Sequence, residues 1–224
     1  MKRLLSIVLL MGGMMVVHAQ KFEPNTKWPY VYENFTDGAI YLEGNKKTEA
    51  KLNIHLWGNK LHYLNDAQRI FQSGDKGIIR VEIGSDAYIY SDRQLVKILA
   101  VEQSNLVVEL TKGDFDELFA GTGAYGSSLN SSASQDLSSL DLGGMDTPEL
   151  GKMLQERNDG RSIPLKHQFY FIINGKQIKA NKKDIESILI PEKQKMWKAF
   201  LKDNKVNWKN PESLKAVLSF ICQE

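Results

Sequence analysis

Cysteine is almost absent from this chain of 224 residues, because Cys222 is the only one. A single thiol excludes an intramolecular disulfide, so the fold must depend on its own hydrophobic core. Cys222 lies in the apolar helical pattern LKAVLSFIC. This setting is typical of a small buried or helix-end residue rather than a reactive thiol.

Familiar catalytic signatures are also missing. The sequence contains no G-x-S-x-G elbow, no H-E-x-x-H zinc motif, no phosphate-binding loop and no Rossmann fingerprint between a strand and a helix. Gly121-Thr122-Gly123 begins a G-x-G-x-x-G string, but it lies in low-complexity sequence. Histidine is scarce, since the chain has only His18, His55, His62 and His167. These absences favour a protein without enzymatic activity, and the sequence implies no cofactor.

Long apolar stretches are confined to the beginning of the chain. Lys2 and Arg3 precede an apolar run over residues 4–17, and Val17-His18-Ala19 has small residues where a signal peptidase cuts. The pattern predicts a secretory signal peptide over residues 1–19. The run is shorter than the roughly 20 residues of a membrane-spanning helix, and no lipid-attachment cysteine follows it. We therefore expect a periplasmic or extracellular protein without a transmembrane segment in its mature chain.

Composition divides the mature chain into three parts and predicts an α+β fold. Residues 20–120 contain short alternating segments between turn signals, which indicate an antiparallel β-meander or sandwich-like domain. Residues 121–160 are rich in glycine and serine, which predicts a flexible linker with one short helix. Residues 161–224 are predicted to form a small module in which an Asn174-Gly175 hairpin precedes three helices.

Capping residues predict where these helices begin. Asn181 caps a helix over residues 182–189, Pro191 opens one that ends near residue 204, and Asn210-Pro211 opens the last. The middle helix is predicted to turn one apolar face inward. That face comprises Met196, Trp197, Phe200 and Leu201.

Charge is unevenly distributed along the chain. Residues 20–160 contain 14 basic and 21 acidic residues, whereas residues 161–224 contain 13 basic and 6 acidic ones. Lys195, Lys198 and Lys202 line one side of the middle helix. Such a surface is typical of a solvated face, or of contact with anionic lipid, acidic polysaccharide or the chain's own acidic half. Nucleic acid is not expected as a partner of an exported protein.

The segment AKLNIHLWGNKLHYL, residues 50–64, predicts the central hairpin. A two-residue Gly58-Asn59 turn would place His55 opposite His62 and Trp57 opposite Lys60. Alternation puts those four residues on a mixed face, which we expect to meet water. The opposite face is predicted to belong to the core, and it carries Leu52, Ile54, Leu56, Leu61 and Tyr63.

The mixed face carries the candidate site. Opposed Cβ atoms lie about 4.5–5.5 Å apart, so His55 and His62 are close enough to share a metal such as Zn²⁺. No third ligand is evident nearby, and two wetted polar residues or a pH-sensing pair are the alternatives. Trp57 and Lys60 extend the histidines into an amphipathic patch suited to a sugar or peptide, unless Trp57 only packs on the Lys60 stem.

Three motifs resemble a family of uncharacterised secreted bacterial proteins. They are F-x-D-G at Phe35–Gly38, A-K-L-N-x-x-L at Ala50–Leu56, and I-N-G-K-x-I-K-A-x-K-K-D-I at Ile173–Ile185. The resemblance implies a secreted, β-rich protein in two parts, and it implies no particular activity.

These patterns favour an exported non-enzymatic binding or envelope-associated protein whose partner is an unknown protein or glycan. One alternative is a metal-dependent hydrolase that uses His55 and His62. The other is a structural or assembly factor whose linker and helices engage a partner.

Overall fold

The computed structural model describes residues 25–26, 28–114 and 163–223, which form a mostly antiparallel β-sheet followed by C-terminal helices. The predicted signal peptide and linker lie outside these ranges. The strands are β1 (Asn25–Thr26), β2 (Thr36–Leu42), β3 (Lys46–His55), β4 (Lys60–Leu64), β5 (Ile70–Gln72), β6 (Ile78–Ile83), β7 (Asp86–Ser91), β8 (Gln94–Glu102), β9 (Asn105–Gly113), β10 (Ile163–Ile173) and β11 (Lys176–Lys179). The helices are α1 (Lys182–Glu186), α2 (Pro191–Asp203) and α3 (Pro211–Cys222).

One sheet contains strands from both ends of the chain. The order is β1-β10-β9-β8-β7-β6-β2-β3-β4-β5, and β11 also pairs with β10. β10 pairs with β9 from Leu165–Gly113 to Ile172–Leu106. The strand that opens the predicted C-terminal module is therefore hydrogen-bonded into the sheet of the N-terminal part.

Two of the predicted hairpin turns are confirmed. Ile83 pairs with Asp86 around Gly84-Ser85, and Ile173 pairs with Lys176 around Asn174-Gly175. Asn174 and Gly175 have φ angles of 49° and 78°. Two successive positive φ values define the tight turn that suits the twist of a hairpin, and Asn-Gly adopts them at low cost.

The sheet curls so that its β3–β4 end approaches β8 and β9. Asn59, between β3 and β4, accepts a hydrogen bond from the Leu95 N–H at 2.6 Å and donates one to the Thr111 carbonyl at 3.2 Å. Three other strands separate β3 from β8 in the sheet order, so only a strongly curved sheet allows these contacts. The inner face encloses a buried cluster of Ile40, Leu52, Ile54, Leu61, Val81, Ile83, Tyr88 and Leu95.

The helices cover the β9–β10 end of the same face. Trp197 of α2 is buried, and its ring centroid lies 5.3 Å from that of Phe220 in α3. The predicted caps are confirmed, because Asn181 and Asn210 accept hydrogen bonds from the first turns of α1 and α3. The prediction for Met196 is wrong: its side chain is 59% exposed, while Phe200 and Leu201 pack against the cluster.

Candidate functional site

β3 and β4 form the predicted hairpin, but the predicted register is wrong by two residues. His55 pairs with Lys60, and Asn53 pairs with His62. The connection is therefore the four residues 56–59, although Gly58 and Asn59 do have positive φ angles of 73° and 52°. Because side chains alternate with period two, this shift leaves the residues of β3 and β4 on their predicted faces, whereas Leu56 and Trp57 now belong to the connection.

Contacts with distant parts of the chain explain the longer connection. Leu56 is buried against Ile163, and its N–H donates to the Pro29 carbonyl at 2.9 Å. The side chain of Asn59 binds β8 and β9, as described above. Both contacts are absent from an isolated hairpin, so local turn chemistry gives no sign of them.

The two histidine rings remain neighbours, but the expectation that they meet water is wrong. Their centroids lie 5.1 Å apart and their planes are inclined by only 18°. His55 is 4% exposed and His62 is 2% exposed. Residues 28–35 cover the two imidazole rings, and we refer to this segment as the N-terminal arch. Within it, Tyr30 pairs with His55, and its ring makes edge contacts with both imidazoles. We refer to Tyr30, His55 and His62 as the histidine stack.

Asn53 attaches the arch to the sheet. Its side-chain oxygen accepts from the N–H groups of Tyr32 and Ile54, at 3.1 and 2.8 Å. Its amide donates to the carbonyls of Tyr32 and Asn34, at 2.9 and 3.2 Å. Asn53 is fully buried, so these bonds satisfy polar groups that no water reaches.

Two members of the stack, Tyr30 and His62, are neutral groups. The Tyr30 hydroxyl lies 2.8 Å from Nδ1 of His62, and Nδ1 of His55 donates to the Trp57 carbonyl at 3.2 Å. Burial, with a smaller contribution from His55, lowers the pKa of His62 from 6.5 to about 3, although Gln72 acts in the opposite direction. Burial also raises the pKa of Tyr30 well above 10. At neutral pH, His62 and Tyr30 therefore both carry no charge.

The geometry of the stack gives no support to a shared metal ion. Imidazole lone pairs lie in the ring plane, so two nearly parallel stacked rings do not direct them to one point about 2.0–2.1 Å from both nitrogens. Within residues 25–26, 28–114 and 163–223, no three His, Cys, Asp or Glu side chains are grouped to hold a metal. The metal interpretation of His55 and His62 stays a prediction.

The other half of the predicted patch lies outside the arch. Trp57 is 43% exposed in the β3–β4 connection, and Lys60 beside it is exposed. The four residues proposed as one surface are thus divided, with the two histidines inside and Trp57 and Lys60 in contact with solvent.

The sequence analysis missed a polar row across β7–β10 on the inner face. Lys97 pairs with Tyr88 on one side and Glu109 on the other, and its ammonium lies 2.8 Å from Asp86. Glu109 in turn lies 2.5 Å from Nδ1 of His167. Tyr32 of the arch joins the row, because its hydroxyl lies 2.7 Å from Asp86 and 2.5 Å from the Tyr88 hydroxyl. The complete row is Tyr32, Asp86, Tyr88, Lys97, Glu109 and His167.

One signal in the sequence pointed to this row. Lys97 and Glu109 each interrupt an apolar strand segment, LVKIL and LVVEL. A lone charge inside such a strand is costly to bury without a partner, which is a reason to search for its partner. The partners became evident only from the strand order, which puts both residues in one line.

A depression opens where the inner face ends, near β5. It has a volume of about 540 Å³, and its floor is apolar. Beside it, the ring centroids of Tyr63 and Phe71 are stacked 5.8 Å apart. Burial, with a smaller contribution from the negative charge of Asp75, raises the pKa of Tyr90 to about 12. We refer to this site as the inner-face depression. Its lining is Ile40, Leu42, Thr48, Ala50, Tyr63, Ser73, Gly74, Asp75, Lys76 and Ile78.

The opposite side of β2 and β3 carries a more polar cleft of about 640 Å³. Four of its charged side chains form ion pairs with each other, Lys51–Asp37 at 2.9 Å and Lys47–Glu49 at 2.6 Å. Exposed pairs of this kind are common on wetted sheet faces and contribute little energy. This outer-face cleft has fewer features of a ligand site than the inner-face depression.

In the part of the chain that the structure describes, no helix has the length and apolar character needed to cross a membrane. Comparison of the chain with protein-family models, with curated proteins and with solved structures finds no match.

Proposed function

We propose that this chain is an exported, non-enzymatic binding protein of the cell envelope, whose ligand occupies the inner-face depression. The observation that carries the proposal is the concave apolar floor beside a few polar groups. Ligand sites usually combine these two features, because apolar contact provides most of the affinity and the polar groups fix orientation. A signal peptide over residues 1–19 and a flexible linker over residues 121–160 belong to the proposal and are supported by sequence patterns.

The chemistry of the rim favours a neutral saccharide. Thr48 and Ser73 offer hydroxyl groups, and Asp75 accepts hydrogen bonds. Asp75 and Lys76 balance each other in charge. Tyr63 lines the depression and is stacked on Phe71, so its ring is a candidate platform for the apolar face of a sugar ring. A glycan of the envelope therefore fits the site better than a strongly charged ligand.

The hydrolase alternative has less support. A catalytic metal site keeps an open position for water or substrate. The arch covers both histidines of the predicted site, so no substrate reaches them without displacement of Tyr30.

Two neighbouring positions of β3 provide the matched test. Thr48 lines the inner-face depression, whereas Glu49 lines the outer-face cleft, and both side chains are exposed. Thr48→Trp should fill the depression without disturbing the core, and Glu49→Trp adds the same bulk on the other face. Titration calorimetry with neutral oligosaccharides such as chitotriose and maltotriose should give binding that Thr48→Trp weakens at least tenfold and Glu49→Trp leaves unchanged.

The same assay separates the competing surfaces. Loss of binding in Glu49→Trp alone would assign the site to the outer-face cleft. Loss of binding in Trp57→Ala alone would assign it to the β3–β4 connection. Absence of binding to every oligosaccharide would reject the saccharide class. Point variants are preferable to deletion of residues 161–224, because deletion removes β10 from the sheet.

A further inference from the structure

We infer that the outer face of β8 and β9 is a docking surface for residues 115–119 of this same chain, the segment that directly follows β9. This inference does not depend on the inner-face depression or on its ligand. It begins with a group of buried apolar side chains, which we refer to as the outer-face cluster. Its members are Val96, Val108, Leu110 and Ile172, which are between 0% and 8% exposed.

The outer-face cluster lies on the side of the sheet away from the helices. Side chains alternate between faces, so Val96 and Val108 point away from the inner-face pair of Lys97 and Glu109. The helices pack on the inner face. In the part of the chain that the structure describes, the partly buried hydrophobic side chains packed against the cluster all belong to the sheet. They are Ile89, Leu106 and Tyr170.

The burial of this cluster distinguishes it from a solvated sheet face. A face with nothing packed on it leaves its side chains partly in water, as on the open side of an antiparallel sheet. Val108 and Leu110 are 0% and 1% exposed, and Val96 is 1% exposed. Their neighbours within the sheet surround them from the sides only. Such complete burial therefore indicates that another segment packs on top of them.

The pattern of exposure shows where that segment packs. Val101 lies on the same face near the β8–β9 turn, and it is 64% exposed. Val108 and Leu110 lie further along β9 and are buried, so burial is greatest towards the end of β9, where the chain leaves the sheet at Asp114. Gln168, which pairs with Leu110 from β10, is exposed. The contact therefore lies over β8 and β9 rather than over β10.

The residues that follow Asp114 have the pattern of a short amphipathic helix. Asp114 followed by Glu117 three positions later is the signature of a capping box. Phe115, Leu118 and Phe119 recur at helical spacing, so a helix would present them on one side. A helix this short is not stable in water by itself. Its three large apolar side chains need a surface, and the outer-face cluster needs a partner.

The start of this segment is held beside the cluster. The Asp114 N–H donates to the Pro164 carbonyl at 2.7 Å, and its carboxylate forms an ion pair with Lys166 at 2.5 Å. Leu110 lies four positions before Asp114, a strand length of roughly 13 Å. Residues 115–119 reach roughly 7 Å as a helix and roughly 16 Å when extended. Aromatic side chains that turn back from Asp114 therefore meet the buried end of β9.

The test measures how fast a cysteine placed in the outer-face cluster reacts with a thiol reagent. The full mature chain with Cys222→Ser is the parent, because it has no other thiol. Val96→Cys should react slowly and Val101→Cys rapidly, since the first position is 1% exposed and the second 64%. Adding F115S/L118S/F119S should accelerate the reaction of Val96→Cys at least tenfold and leave that of Val101→Cys unchanged.

The matched control removes a second apolar trio with the same spacing. L150S/M153S/L154S should leave Val96→Cys protected. Circular dichroism checks that each variant is folded. If F115S/L118S/F119S does not fold, oxidation of the folded pair V96C/L118C decides instead. This pair should form an intramolecular disulfide, whereas V96C/L150C should not.

Several results would overturn the inference. They are rapid reaction of Val96→Cys in the parent, equal rates in the two triple variants, and acceleration by L150S/M153S/L154S alone. Protection that falls on dilution would assign the surface to a second copy of the chain. Absence of the disulfide in V96C/L118C would overturn the inference where the triple variant is unfolded.

Discussion

The histidine stack and the polar row are both built around histidine, yet their surroundings are opposite. In the stack, His62 faces Tyr30 and a second imidazole under the arch, and it is held neutral. In the polar row, Glu109 lies 2.5 Å from His167, and Lys97 and Asp86 follow on the same face. Sequence spacing pointed to the first cluster and missed the second. The pairing within a hairpin predicts which side chains are neighbours. Segments from elsewhere in the chain decide whether those side chains are buried or lie beside charged groups.

The largest expected effect comes from removing the ring that closes the stack. Tyr30 is fully buried, so Tyr30→Ala should lower the free energy of unfolding by about 3–5 kcal/mol, the usual cost of truncating a large aromatic core residue. Tyr30→Phe keeps the ring and loses only the bond to His62, which costs about 1 kcal/mol. Urea denaturation measures both. Similar losses in the free energy of unfolding for the two variants would contradict the prediction, because the aromatic ring would then contribute little to stability.

The second prediction concerns the loss of folding stability at low pH. The folded-state pKa of His62 lies below its ordinary value of 6.5, so its contribution to stability is complete above pH 6.5 and is lost as the pH falls towards 3. By pH 5 the loss should be roughly 2 kcal/mol. Thermal or urea unfolding between pH 7 and pH 4 should reveal it. His62→Gln should have a shallower dependence on pH, and an unchanged slope would contradict the buried neutral imidazole.

The smallest of the three effects is expected in the polar row. The Glu109 side chain is 8% exposed, and Glu109→Gln replaces its charge-assisted bond to His167 with a weaker neutral one. We expect a loss of roughly 1 kcal/mol, the difference between a hydrogen bond to a charged group and a neutral one. A double-mutant cycle with His167→Gln measures the coupling between the two residues. The same cycle between Glu109 and His62 should give additive effects, because the two clusters share no partner.

Much of the fold was predictable because its signals are local. Asn174-Gly175 and Gly84-Ser85 set their hairpins, and Asn181 and Asn210 cap their helices, through groups within a few residues. The alternation of β3 and β4 also gave the correct faces. The register failed at residues 56–59 because Leu56 and Asn59 have their partners in segments far along the chain.

The candidate site was harder to predict for the same reason. Nothing in residues 50–64 indicates that residues 28–35 cover His55 and His62. Tyr30 belongs to a segment whose aromatic residues suit either a surface or a core, and the bonds of Asn53 decide between the two. The polar row requires the complete strand order, which residue patterns do not supply.

The position of β10 has a consequence for how the chain acquires its structure. β1 hydrogen-bonds to β10, so a segment near the start of the chain has no neighbour until most of the polypeptide has been made. Pairings between such remote segments form slowly, because the entropy cost of closing a large loop comes before any stabilising contact between them. This edge of the sheet therefore forms only after the chain is available as far as β10.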